Sequence, residues 1–125
     1  MWSHGSFYWN ELMTRDAEAA KKFYGGTLGW TFEAMAMSEG TYWVAKMGGT
    51  PIGGIFTMKG PMFEGVPEHW FSYIAVDDVS ARLKKLTAAG GKVIKEPFDV
   101  PNVGRIAIVQ DSSGAMMGWM TPPAA

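Results

Sequence analysis

Two stretches of this chain follow the same plan, 61 positions apart. Asp16 precedes Ala17-Glu18-Ala19-Ala20-Lys21-Lys22-Phe23-Tyr24, which runs on to Leu28-Gly29-Trp30. Asp77-Asp78 precedes Val79-Ser80-Ala81-Arg82-Leu83-Lys84-Lys85-Leu86, which runs on to Gly90-Gly91. Asp77 stands 61 positions after Asp16, and Gly90 stands 61 positions after Gly29. Each aspartate follows a strand-like run and each glycine leads into another, so a whole strand-helix-strand unit is repeated. Two facing copies of such a unit create a shared cleft, which is a natural place for a ligand.

At 125 residues the chain is one domain, or two small halves around one core. Hydrophobic residues make up 47%, enough to fill that core. Eleven basic and twelve acidic residues leave a formal charge of −1, with no long run of either sign. The basic stripe that nucleic-acid binding requires is absent. No stretch approaches the roughly 20 apolar residues of a membrane span, and no signal-peptide pattern is present. The lack of cysteine excludes disulfides, thiolate catalysis and zinc-thiolate sites. These features lead to the expectation of a cytoplasmic protein that binds neither nucleic acid nor membrane.

From Ser6 to Thr14, Phe7, Trp9, Glu11 and Met13 alternate with Tyr8, Asn10 and Leu12, the period of a strand. Asp16 is placed to cap the helix that follows, and glycines end it. Ala19, Ala20, Phe23, Tyr24 and Leu28 supply its expected buried stripe. Trp30 to Met35, Thr41 to Met47 and Ile52 to Met58 read as strands, with Gly48-Gly49 as a hairpin turn between the last two. Lys59 to Glu68, punctuated by Pro61, Gly65 and Pro67, reads as the linker. The second half repeats the order: a strand from Trp70 to Val76 and a helix from Val79 to Ala88, then strands over 92–98, 104–110 and 115–120, with Asp111-Ser112-Ser113-Gly114 as a turn. The expected fold is α+β, with two βαβββ modules in tandem forming a curved mixed sheet around a cleft. Module 1 covers about residues 4–60 and module 2 about 68–123.

The motif Trp9-x-Glu11-Leu12-x-Thr14-x-Asp16, followed by Ala19-Ala20-x-x-Phe23-Tyr24-x-x-x-Leu28-Gly29-Trp30, resembles the opening of a vicinal oxygen chelate protein. That superfamily includes glyoxalases, bleomycin-resistance proteins and extradiol dioxygenases. Val76-Asp77-Asp78-Val79, Ala89-Gly90-Gly91 and Gly104-Arg105-x-Ala107-x-x-x-Asp111-x-x-Gly114-Ala115 resemble its second module. The resemblance covers essentially the whole chain and implies the paired βαβββ fold.

It also implies a test for metal. Enzymes of the superfamily hold one divalent ion with His and Glu side chains, one from each of four strands, and the ion steadies two neighbouring substrate oxygens. Carried onto this chain, those positions fall on Trp9, on Gly53 or Gly54, on Phe71 and on Gly118. Two aromatics and two glycines offer no donor. Other donors are His4, Glu11, Glu68 and His69, but gathering His4, Glu11 and His69 needs an odd register shift, which reverses the strand face. No cofactor is therefore expected, with a relocated divalent metal as the alternative.

Glu11 shares a strand face with Trp9 and Met13, which the resemblance turns into the cleft. A carboxylate there is an acid/base candidate if burial raises its pKa, or a sheet brace if neighbouring groups simply hydrogen-bond to it. Arg105 offers a fork to an anionic ligand or to a surface carboxylate. Phe71 and Tyr73, with Met116, Gly118 and Met120 on the last strand, and with Trp9 and Trp43, make up the expected cleft lining. These residues lead to the expectation of a glyoxalase/bleomycin-resistance-like protein that binds a small, partly apolar molecule. The alternative is a lyase, isomerase or dioxygenase-type enzyme that uses a relocated metal or Glu11. A homodimer is compatible with the resemblance.

Overall fold

Both helices start where an aspartate can cap them. In a computed structural model of the chain, which describes residues 2–37 and 40–123, the Asp16 carboxylate accepts from the Ala19 N–H at 3.0 Å and Asp78 accepts from Ala81 at 3.1 Å. Each bond satisfies one of the open donors of a helix's first turn. Helix α1 covers Ala17–Leu28 and ends on Gly29 at φ 75°, a left-handed position that glycine reaches without strain. Helix α2 covers Val79–Ala88.

Among the described residues the strands are β1 (Phe7–Thr14), β2 (Thr31–Met37), β3 (Gly40–Met47), β4 (Thr50–Thr57), β5 (His69–Ala75), β6 (Lys92–Val100), β7 (Gly104–Gln110) and β8 (Met116–Thr121). The order is βαβββ twice, as the repeat requires. In the first module the strands lie in the order β2-β3-β4-β1, and in the second in the order β5-β8-β7-β6. β1 runs parallel to β4 and β5 parallel to β8, while the remaining neighbours within each module are antiparallel. The tight turn between β3 and β4 is Gly48-Gly49, at φ 57° and 85°, which matches the right-handed twist of a hairpin. The linker holds one short 3-10 turn, Pro61–Phe63.

The chain gathers into two compact units, Trp9–Phe71 and Met1–Tyr8 with Ser72–Ala125. The start of β1 belongs with the second unit because Gly5 N–H donates to the Ala75 carbonyl at 2.7 Å and Ala75 N–H to Ser6 at 2.9 Å.

The core of the second unit is aliphatic. Val79, Leu83 and Leu86 of α2 pack with Val76, Ala107 and Val109, and Ile74, Val93, Met117 and Trp119 lie against them. Burying side chains of this size stabilises a fold by about 1.5–3 kcal/mol each. The buried stripe expected on α1 is not there: none of its residues is buried, and Phe23 and Leu28 are 59% and 57% exposed. The helix instead meets its sheet through aromatics and a lysine. Tyr24 stacks on Trp30 at 5.2 Å, and Lys21 Nζ sits 3.1 Å over the Trp43 ring.

Candidate functional site

Alternation along β1 puts Trp9 and Glu11 on one face. Glu11 lies directly across from Gly54 of the parallel strand β4. With no side chain at Gly54, the Tyr42 phenol from β3 settles over it, and a methyl group there would fall inside that ring. The Trp9 indole N–H donates to the Tyr42 hydroxyl at 2.9 Å, and that hydroxyl is hydrogen-bonded to the Glu11 carboxylate. Glu11 is only 9% exposed, so the bond offsets part of the cost of burying a carboxylate. Burial, followed by the negative charge of Glu11, pushes the Tyr42 hydroxyl well above the usual tyrosine range, while the Trp9 bond pulls the other way. Tyr42 therefore stays protonated as the middle of an indole–phenol–carboxylate chain.

The second module repeats the device with fewer parts. Tyr73 of β5 lies across from Gly118 of the parallel strand β8, and its ring fills the space that a Gly118 side chain would need. Met120, two residues on, is buried, whereas Met116 is 46% exposed and accepts from Gln110 Nε2 at 3.5 Å. Phe71 is buried with the His69 ring 6.2 Å away at 73°.

The four positions that the resemblance assigns to metal ligands carry two aromatic residues and two glycines. Trp9 and Phe71 carry no suitable donor, tyrosine rings cover Gly54 and Gly118, and Gly53 backs onto the Asn10 carbonyl. Among the described residues no group of three or more His, Asp or Glu side chains is arranged to hold a metal. The alternative donors are engaged separately. His4 Nδ1 accepts from the Asp77 N–H at 3.0 Å, and His69 Nδ1 lies 2.8 Å from the Pro67 carbonyl. Glu68 accepts from Arg15 N–H at 2.7 Å, Arg15 Nη1 at 2.6 Å and Thr14 Oγ1 at 3.1 Å. These bonds clasp the end of β1 and hold the Glu68 carboxyl below its ordinary range, with the Arg15 backbone bond the largest cause.

Two expected lining residues sit elsewhere. Trp43 is on the face opposite Tyr42, beneath Lys21 of α1. The cause is a register shift: Met47 pairs with Thr50 and Lys46 with Pro51, but Ala45 pairs with Gly53, so β4 carries one extra residue. An unbroken ladder from the Gly48-Gly49 turn would have put Trp43 opposite Gly54. The bulge puts Val44 there, and a one-residue slip exchanges the faces. Tyr42, which the strand period alone did not single out, takes the place beside Glu11. Pro51, next to a predicted turn, was the available signal, because proline inside a ladder favours a bulge. Arg105 is the second: it forks onto Asp99 at 3.0 and 3.2 Å and reaches Ser80 at 3.3 Å, an exposed ion pair.

Comparison with known proteins agrees with the repeated architecture. The chain is 44% identical over 119 residues to the protein named "Putative glyoxylase CFP32" of Mycobacterium bovis, covering 94% of this chain and 44% of that one. It therefore spans less than half the length of that relative. It is 34% identical over 125 residues to a glyoxylase-like domain-containing protein of Didymella fabae, with 96% of each chain covered. In structure it resembles methylmalonyl-CoA epimerase from Mycobacterium tuberculosis, with a TM-score of 0.71 at 13% identity over 99% of this chain and 94% of that one. The family model for the Glyoxalase/Bleomycin resistance protein/Dioxygenase superfamily matches residues 7–117, and the chain belongs to that superfamily.

Proposed function

We propose that this protein binds a small, partly apolar molecule without a metal ion, using the strand face that carries Trp9, Glu11 and Tyr42. The observation that carries this reading is the tyrosine ring over each of Gly54 and Gly118, two positions that the resemblance assigns to chelating side chains, in the space that any side chain there would need. Flat aromatic walls with one buried polar chain suit a planar ligand that offers a hydrogen-bond donor to Glu11. A thermal-shift and calorimetric screen of planar aromatic compounds tests it. A native-state ligand raises the melting temperature by mass action, and Trp9→Ala should abolish the effect. A screen in which no compound stabilises the protein, or in which Trp9→Ala responds like wild type, would overturn the reading.

A second reading, an enzyme with Glu11 as acid or base, draws on the buried carboxylate and its phenol partner and on the glyoxylase names of the relatives. It requires turnover that is lost in Glu11→Gln with the melting temperature kept. Activity that survives this substitution would remove it.

A further inference from the structure

The second unit carries an open groove of about 450 Å³ on the face of its sheet opposite Tyr73 and Gly118. Its floor is formed by Ile74 of β5, Leu86 of α2, and Met117 and Trp119 of β8. Ile74, Met117 and Trp119 are only half-buried against the aliphatic core, so the groove exposes a broad apolar bed. Alternation along β5 and β8 keeps these side chains off the face used by Tyr73 and Gly118, and the groove is independent of the ligand proposed above.

One wall is basic. Arg82 and Lys85 stand three residues apart on α2, a spacing that puts both on the same side of the helix. Arg82 is fixed by two bonds to Asp77, at 2.8 and 2.9 Å, which also hold the Asp77 carboxyl well below its usual range. Lys85 forms no ion pair among the described residues, and it lines the groove beside the apolar bed. Across the groove stands Asp111, whose carboxylate accepts from the Ser113 and Ala115 N–H groups at 2.8 and 3.0 Å. Those bonds keep it ionised, so the far wall repels negative charge.

We propose that this groove is a binding site for an amphipathic monoanion, an aryl or short alkyl body with a single carboxylate or sulfonate directed to Lys85. The volume falls within the range of about 300–1,000 Å³ typical of small-molecule sites and accommodates two fused rings. The acidic far wall selects against a second anionic group.

The test is titration of the whole chain with 1-naphthoate, followed by calorimetry and by NMR of the Trp119 indole and the Ile74 and Met117 methyl groups. The expected result is saturable 1:1 binding with shifts on those three residues. Affinity should fall about tenfold in Lys85→Glu, the size of one charge-assisted contact, and recover in Lys85→Arg. Neutral 1-naphthalenemethanol should bind about tenfold more weakly than the acid. Lys85 is exposed, so its variants should fold, and a melting curve for each checks this. Absence of saturable shifts, equal affinity for the alcohol, or unchanged binding in folded Lys85→Glu would overturn the proposal. Shifts confined to Trp9, Tyr42 and Tyr73 would overturn it as well.

Discussion

The two modules share a topology and a glycine-tyrosine device but are held together by different chemistry. In the second, α2 drives Val79, Leu83 and Leu86 into an aliphatic core. In the first, α1 buries no residue and packs through Lys21 on Trp43 of β3 and through Tyr24 on Trp30, just before β2. The aromatic cluster there is only partly covered: Trp70 is 41% exposed even though its indole N–H donates to the Tyr24 hydroxyl at 3.1 Å. A repeat therefore conserves strand order and caps more strictly than it conserves the layer between helix and sheet. The helix of the second module covers an aliphatic cluster, and the first module holds the chain of Trp9, Tyr42 and Glu11.

The largest effect that can break this comparison comes from truncating one helix residue in each half. Leu83→Ala should destabilise the protein by about 2–4 kcal/mol, because it leaves a cavity in the aliphatic core. Phe23→Ala, on an exposed site, should cost about 0.5 kcal/mol or less in the same urea titration. Equal losses would mean that α1 is as well packed as α2. Next come Gly54→Ala and Gly118→Ala, each of which drives a methyl group into a tyrosine ring. Each should cost about 1–3 kcal/mol as an overpacking change, and Gly54→Ala should also disturb the NMR signal of the Trp9 indole N–H. The helix caps should respond alike in the two modules: Asp16→Ala and Asp78→Ala should each lose about 1 kcal/mol by thermal or chemical melting.

The smallest effect separates the two halves by titration. Tyr42 has a pKa raised above its unfolded value, so its contribution to stability is complete below about pH 10 and is lost as pH rises through the folded value. An ultraviolet titration of the four tyrosines should show at least one that ionises only as the protein unfolds. In Tyr42→Phe that late component should shrink by one residue, and an unchanged late amplitude would place Tyr42 outside the buried chain.

Much of the fold was readable from short-range chemistry. Asp16, Gly29 and Asp78 act as caps and stops, Gly48-Gly49 makes its turn, and the 61-residue spacing carries the βαβββ order. The expectations that failed depend on events between elements. The apolar stripe of α1 satisfies helical periodicity, yet which side chains become buried is decided by what the helix packs against, and there Tyr24 meets Trp30 just before β2 while Lys21 meets Trp43 of β3. The exchange of Trp43 for Tyr42 follows from one extra residue in β4, which no period of two can reveal. The place of Glu11 beside Trp9 on one face of β1 was readable from the strand period, but its partner was not, because Tyr42 reaches it across Gly54 from a strand 31 residues away in sequence.

The central claim is the proposed binding without a metal ion, argued from the tyrosine rings over two of the positions that the resemblance assigns to metal-holding side chains. The most direct measurement is the metal content of purified protein after incubation with Mn²⁺, Fe²⁺, Ni²⁺ and Zn²⁺ followed by desalting, on wild type and on Glu11→Gln. The expected result is no retained ion in either protein. About one ion per wild-type chain, lost in Glu11→Gln, would contradict the claim and identify Glu11 as a ligand in a relocated chelate site.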